Sequence, residues 1–273
     1  MKGLRQKLDE SLAVLRKHTM LVPNVGMILG TGLGTVADNI DIQATIPYEE
    51  IPHFQLSHIE SHAGELVFGE LEGLPVVVMK GRFHYYEGYT MQECAYPAAL
   101  MHDLGAEILI VTNAAGGADP RMTESDLMVI DDHINLIWHN PLIGPNDDDL
   151  GPRFPDMMDA YSPRLIELAE QAAAEQGTRL WRGTYMFIPG PSFETKAELR
   201  LLRRLGADVV GWSSVPEITL AHYLGMEVLG FTCITDMSIP DRLRQVDMDH
   251  LIASGQQGAN KLRPIIEAVL AQV

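Results

Sequence analysis

Short runs of apolar, largely β-branched residues recur along the chain between segments with helical periodicity, and this alternation restricts the possible folds more than any other feature. The strand candidates are 25–30 (VGMILG), 65–71, 74–81, 107–117, 127–137, 183–190, 207–214 and 227–236. Between and around them lie helical patterns at 2–19, 91–104, 163–177, 194–205, 216–225 and 247–272. Strands alternating with helices bury both faces of a parallel or mixed sheet, so the predicted class is α/β, a central mixed sheet flanked by helices. No low-complexity linker, internal repeat or charge block divides the chain, and 273 residues, 46% of them hydrophobic, suffice for one core. Residues 1–273 therefore read as a single domain. The longest irregular stretch, NDDDLGPRFPDMMDAY (146–161), has the length of a functional loop or a subunit contact.

Charge narrows the partners. With 37 acidic against 20 basic residues the chain carries a formal charge of −17, which repels nucleic-acid phosphates and anionic membranes. Neither is an expected partner, and any site for a small anion must be built locally from a few basic groups and backbone N–H donors. Cys94 and Cys233, the two cysteines of the sequence, lie far apart in apolar surroundings, as reduced core thiols do, which points to the cytoplasm. Leu4, Leu8, Leu12 and Leu15 recur at helical spacing among charges, so the N-terminal segment reads as a surface helix and not a signal peptide. No uninterrupted apolar stretch has the length of roughly 18 residues that a membrane span needs.

In open α/β sheets ligands collect at the carboxyl ends of strands. GTGLG (30–34) ends one strand before a helical pattern, where glycines allow tight turns around an anion or simply a close structural corner. It is not the full dinucleotide fingerprint. In KGRFHYYEGY (80–89), Arg82 and His84 alternate, so an extended backbone turns both to one face, as a phosphate pair or as ordinary surface groups. VTNAAGGADP (111–120) runs a buried strand into small residues that either pack a corner or bring backbone to a ligand. In IPGPSFETKAELRLL (188–202), Thr195 or Ser192 caps a helix and leaves Phe193 and Glu194 at its mouth, suited to a planar heterocycle bearing an N–H. HIESH (58–62) has the wrong order for a helical zinc motif, and no metal site is expected. FTCITD (231–236) poses the sharpest question, since a buried apolar strand stops on the carboxylate of Asp236.

Taken together, GTGLG, HAGELVFG (62–69), GRFHYYEGY, TNAAGG, DHINL (132–136), GPSFET (190–195) and GADVVG-x-S-x-VPE (206–217) resemble the trimeric purine nucleoside phosphorylases over nearly the whole chain. The resemblance implies a distorted mixed sheet and a homotrimer. It also implies a pentosyltransferase reaction, the reversible phosphorolysis of purine (deoxy)ribonucleosides to free base and α-(deoxy)ribose 1-phosphate, used in purine salvage. No metal or cofactor is implied, inorganic phosphate being a co-substrate. Carried over residue by residue, it assigns phosphate binding to Thr31, His62, Arg82, His84, Ala114 and Ser213. It assigns the nucleoside to Tyr86, Phe154, Tyr185, Phe193, Glu194, Trp212, Asp236 and His250, with Phe154 lent by a neighbouring subunit and His250 at the 5′-hydroxyl. Asp236, Glu194 and His84 are the implied catalytic groups.

Two positions depart from the pattern. The 6-oxopurine enzymes of the family usually carry asparagine where this chain has Asp236, and methionine where it has Trp212. An ionised aspartate only accepts hydrogen bonds, which suits the 6-amino group of adenine; Glu194 facing N1 suits the N1–H of a 6-oxopurine. Protonation of Asp236 reconciles the pair with hypoxanthine, and protonation of Glu194 reconciles it with adenine. The expectation is inosine and guanosine favoured with adenosine also used, against an adenosine- or methylthioadenosine-preferring alternative. The rival classes are a nucleoside binder without turnover and, on GTGLG alone, a dinucleotide-dependent oxidoreductase.

Overall fold

The apolar runs become strands where the periodicity puts them. In the computed structural model, which describes residues 3–57, 63–240 and 247–273, the strands are β1 (Val25–Leu29), β2 (Asp41–Pro47), β3 (Glu65–Leu71), β4 (Leu74–Lys80), β5 (Ile108–Gly117), β6 (Leu127–Asn135), β7 (Leu180–Phe187), β8 (Val209–Gly211) and β9 (Glu227–Met237). The helices are α1 (Leu4–His18), α2 (Met91–Leu104), α3 (Pro163–Glu175), α4 (Lys196–Arg204), α5 (Val215–Tyr223) and α6 (Met248–Leu270). β2 escaped the sequence reading because it is an edge strand on which Ile46 alone is buried. β7 starts and stops three residues earlier than expected, since Pro189 and Pro191 follow it and have no N–H for a ladder.

Capping residues account for the helix starts. The Thr90 hydroxyl oxygen accepts a hydrogen bond from the Glu93 backbone N–H and the Glu93 carboxylate accepts one from the Thr90 N–H, a reciprocal box repeated by Thr195 and Glu198 at α4. Ser162 caps α3 ahead of Pro163, and the Asp247 carboxylate accepts from the backbone of Asp249 and His250 at α6. GTGLG is followed by a single 3₁₀ turn (Gly34–Ala37) in place of the expected helix.

The strands run in the order β2-β3-β4-β1-β5-β8-β7-β6-β9, and β9 also pairs with β5. Five of them, β5, β8, β7, β6 and β9, thus close into a ring that shares β5 with an open half made of β2, β3, β4 and β1. The pairings mix directions: β5 runs parallel to β1 and β9 but antiparallel to β8, and β6 is antiparallel to β9. Closing a ring on one edge of a twisted sheet supplies the predicted distortion. One large apolar cluster fills the interior, from Leu8 and Leu15 of α1 to Ile265 and Val269 of α6. At 11 residues, β9 threads the middle of this core and delivers its last residues to the surface at the carboxyl end of β5.

Candidate active site

A regular strand points successive side chains to opposite faces, yet Thr235 and Asp236 both line one pocket. The β5/β9 register explains this. Ala115 pairs with Ile234 but Gly116 pairs with Asp236, so Thr235 is an extra residue on β9. Such a bulge re-aims the side chains after it. Asp236 is thereby turned out of the core into a pocket of about 320 Å³, within the usual range of small-molecule sites. On the facing strand a Cβ at Gly116 would lie 2.1 Å from Ser238 Oγ and 3.3 Å from Asp236 Oδ2, so glycine there makes room for this corner.

One wall of the pocket is polar and is backed by a cation. Thr31, His84, Ala114 and Ser213 line it. Arg82 stands directly behind, buried, its Nη1 donating to Thr112 O at 3.0 Å, Ser213 Oγ at 3.1 Å and Ser214 Oγ at 2.9 Å. Its Nε lies 3.4 Å from a carboxylate oxygen of Glu217, which is equally buried. Burial pushes the Glu217 carboxyl up, against the opposing pull of the Arg82 guanidinium. Ser214 adopts φ 72° at the start of α5 and also accepts from Asn113 Nδ2 at 3.0 Å, so a strained residue ties the cation to β5. His84 stacks on Tyr86 at 4.6 Å and its Nδ1 lies 3.1 Å from Glu87 Oε1. Burial holds the His84 imidazole below its ordinary range although Glu87 opposes this, which favours the neutral ring. Gly30 closes the corner from below: a Cβ there would come 2.8 Å from Asn113 Cα.

The opposite wall is aromatic with two carboxyls. Phe193 and Trp212 meet edge to face at 4.9 Å, and Tyr86 meets Trp212 at 5.7 Å. Trp212 Nε1 donates to Glu194 Oε1 at 3.4 Å. Burial raises the Glu194 carboxyl. Asp236 is pushed to about 6, first by burial and then by the negative charge of Glu194, while a 3.5 Å hydrogen bond from Ser238 Oγ opposes the rise. Near neutral pH Asp236 is therefore close to its titration point and can give or take a proton.

The remaining sequence-derived residues fall elsewhere. Tyr185 is fully buried behind the pocket, where its hydroxyl accepts from the Ser213 N–H at 3.3 Å and burial pushes it up to about 12. His250 does not line the pocket; its Nε2 lies 2.8 Å from Glu124 Oε2. Phe154 is 86% exposed on the 146–161 loop. His62, with the HIESH motif, lies outside the described residues. Glu87, Ser214, Glu217 and Ser238 were missed. Glu87 and Glu217 sat inside the quoted motifs GRFHYYEGY and VPE, but burial of a carboxylate leaves no mark on a sequence. Among the described residues no group of three or more His, Cys, Asp and Glu could hold a metal ion. A larger cavity of about 380 Å³, lined by Lys7, His53 and Tyr96 among others, shares none of these groups.

A family model described as the phosphorylase superfamily matches residues 24–271. The chain is 50% identical over 234 residues to purine nucleoside phosphorylase 1 of Geobacillus stearothermophilus, covering 86% of this chain and 85% of that one. The purine nucleoside phosphorylase of Schistosoma mansoni in complex with adenosine superposes with a TM-score of 0.92 at 37% identity, covering 98% of this chain and 97% of that one. The same organism's enzyme in complex with inosine superposes equally, with a TM-score of 0.92 at 36% identity and coverage of 98% and 96%.

Proposed function

The chain belongs to the phosphorylase superfamily and, within it, to the purine nucleoside phosphorylases, and from that membership we propose how its pocket performs reversible phosphorolysis of purine (deoxy)ribonucleosides. One observation carries the reading: a cation-backed polar wall and a wall of aromatics and carboxyls face each other across a single pocket at the strand ends. Phosphate sits on Thr31, His84, the Ala114 backbone and Ser213, with Arg82 supplying the positive charge through Ser213. This resolves the electrostatic difficulty of an acidic chain that uses an anion. The purine lies against Phe193 and Trp212 with its polar edge toward Glu194 and Asp236, and the sugar spans the gap beside Tyr86.

A phosphate oxygen attacks C1′ from the face opposite the base while the C1′–N9 bond breaks and its electron pair moves into the purine. The negative phosphate stabilises the cation-like sugar, and the leaving base is stabilised as Asp236 delivers or holds a proton at N7. With a 6-oxopurine, Glu194 stays ionised to accept N1–H and Asp236 carries the proton. With adenine, the proton sits on Glu194 facing N1, and ionised Asp236 accepts from the 6-amino group and from N7–H once the departing base has taken its proton there from water. The pair therefore serves both bases, and the Schistosoma mansoni relative has been solved with adenosine and with inosine. Inosine and guanosine are the favoured substrates, since burial raises the Asp236 carboxyl to about 6 and so eases the protonation that a 6-oxopurine requires.

Residues 1–273 act as one domain of a cytoplasmic homotrimer in which Phe154 reaches the neighbour's site, and no cofactor beyond phosphate is needed. The exposure of Phe154 supports that reading; no described helix is long and apolar enough to cross a membrane. The test is kcat/KM for inosine and for adenosine at saturating phosphate, with a control lacking phosphate. Phosphate-dependent release of hypoxanthine and ribose 1-phosphate is expected; nucleoside binding without release of base would reject turnover.

A further inference from the structure

The two positions that depart from the family pattern, Asp236 and Trp212, act on one carboxyl. Glu194 stands just before the Thr195 cap of α4 and Trp212 just after β8, and both line the pocket. Trp212 Nε1 donates to Glu194 Oε1 at 3.4 Å. The indole is braced for this contact. Phe193 meets it edge to face at 4.9 Å and Tyr86 at 5.7 Å. Gly190, at φ 63°, lets the ring pack against the chain, since a Cβ there would come 2.8 Å from Trp212 Cδ2.

An indole N–H donates and never accepts, so Oε1 must be an acceptor whatever the charge of Glu194. Any proton that this carboxyl holds therefore resides on Oε2. Burial first, and then the negative charge of Glu198 on α4, push Glu194 toward its proton, while its own backbone N–H and the Trp212 indole favour the ionised form. Asp236, at the end of β9, repels Glu194 as a like charge. Asparagine in place of Asp236 would bring no charge, and methionine in place of Trp212 would bring no donor. The two departures thus pull Glu194 in opposite senses.

Resting on the phosphorolysis reading above, we propose that Trp212 is a positioning residue for Glu194: its indole N–H fixes Oε1 as an acceptor, confines proton exchange at the base edge to Oε2, and favours purines that carry N1–H over 6-aminopurines. Ionised Glu194 accepts N1–H through Oε2, whereas the bare N1 of adenine needs a proton placed on Oε2 first. Trp212 offsets the like charge that Asp236 adds.

The experiment measures kcat/KM for inosine and adenosine at saturating phosphate across the pH range in the wild type, Trp212→Phe, Glu194→Gln and the double variant. Phenylalanine keeps an aromatic face and loses the N–H. Trp212→Phe is expected to lower the inosine-to-adenosine ratio about fivefold, the value of one hydrogen bond to a charged group, and to move the acid limb of the inosine profile to higher pH. In the Glu194→Gln background, where no carboxyl titrates at this position, the same substitution changes the ratio less than about twofold. Trp212→Met also lacks the donor and carries the same prediction should the phenylalanine variant not fold. A ratio within about twofold of the wild type, or a shift of equal size in the Glu194→Gln background, overturns the proposal while leaving phosphorolysis intact. Absence of phosphate-dependent cleavage of either nucleoside by the wild type overturns the functional reading, and the proposal with it.

Discussion

Replacing Asp236 by asparagine tests the electrostatics of the site through stability alone, without any substrate. The fold drives this carboxyl from its ordinary 3.8 to about 6. At 1.36 kcal/mol per unit, that shift penalises the ionised form by about 3 kcal/mol. The folded protein holds the proton more tightly than the unfolded chain, so between roughly pH 4 and pH 6 the native state binds more protons and stability falls as pH rises. The stabilising contribution is present in acid and is gone above the folded-state value. Asparagine cannot titrate, so Asp236→Asn removes this dependence. Its own packing and hydrogen-bonding costs are the same at every pH and cancel when the variant is compared with the wild type at two pH values. Between pH 8 and pH 5.5 the wild type gains about 0.8 kcal/mol from this one group. The difference in unfolding free energy must therefore favour the variant by about 0.8 kcal/mol more at pH 8 than at pH 5.5. Urea unfolding followed by tryptophan fluorescence measures it, at equal protein concentration because assembly shifts apparent stability. A difference independent of pH to within about 0.3 kcal/mol, or one of opposite sign, would refute the raised carboxyl.

The same substitution is expected to shift the inosine-to-adenosine ratio of kcat/KM toward inosine by about tenfold, from the 1–3 kcal/mol value of one matched polar pair; an unchanged ratio means that Asp236 does not read the base. Arg82→Ala should raise the phosphate KM at least about tenfold while nucleoside binding changes less. It also strands the buried Glu217 carboxyl, a loss of about 3–5 kcal/mol. Adding Glu217→Gln should recover stability but not phosphate affinity, and recovery of both would assign Arg82 a purely structural part. Phe154→Ala should lower kcat/KM for nucleoside about fivefold to thirtyfold, as loss of an aromatic anchor does, with little change in melting temperature. Parent-like kinetics would remove Phe154 from the neighbour's site. Cys94 and Cys233 should resist thiol reagents in the folded protein, because burial raises both thiols. Rapid labelling before unfolding would contradict that.

Periodicity and composition determined the α/β class, the six helices and eight of the nine described strands, because helix and strand repeats are local and a buried run such as EILIVTNAAGG has few alternatives. The sequence motifs also identified the residues that end those strands, so Thr31, His84, Ala114, Phe193, Glu194, Trp212, Ser213 and Asp236 were legible before any fold was known, and all of them line the pocket. Three features were decided by the tertiary structure alone. The extra residue Thr235 on β9 is defined only against the register of β5, a strand more than a hundred residues earlier, and it turns Asp236 out of the core. The closing of β9 onto both β5 and β6 is a long-range pairing with no local signature. The side chain of His250 follows from the helical phase of α6 and from Glu124, which a distant loop presents to it. Sequence fixes which groups are present, because chemistry belongs to residue type; direction and charge state depend on neighbours that the chain brings together only when folded.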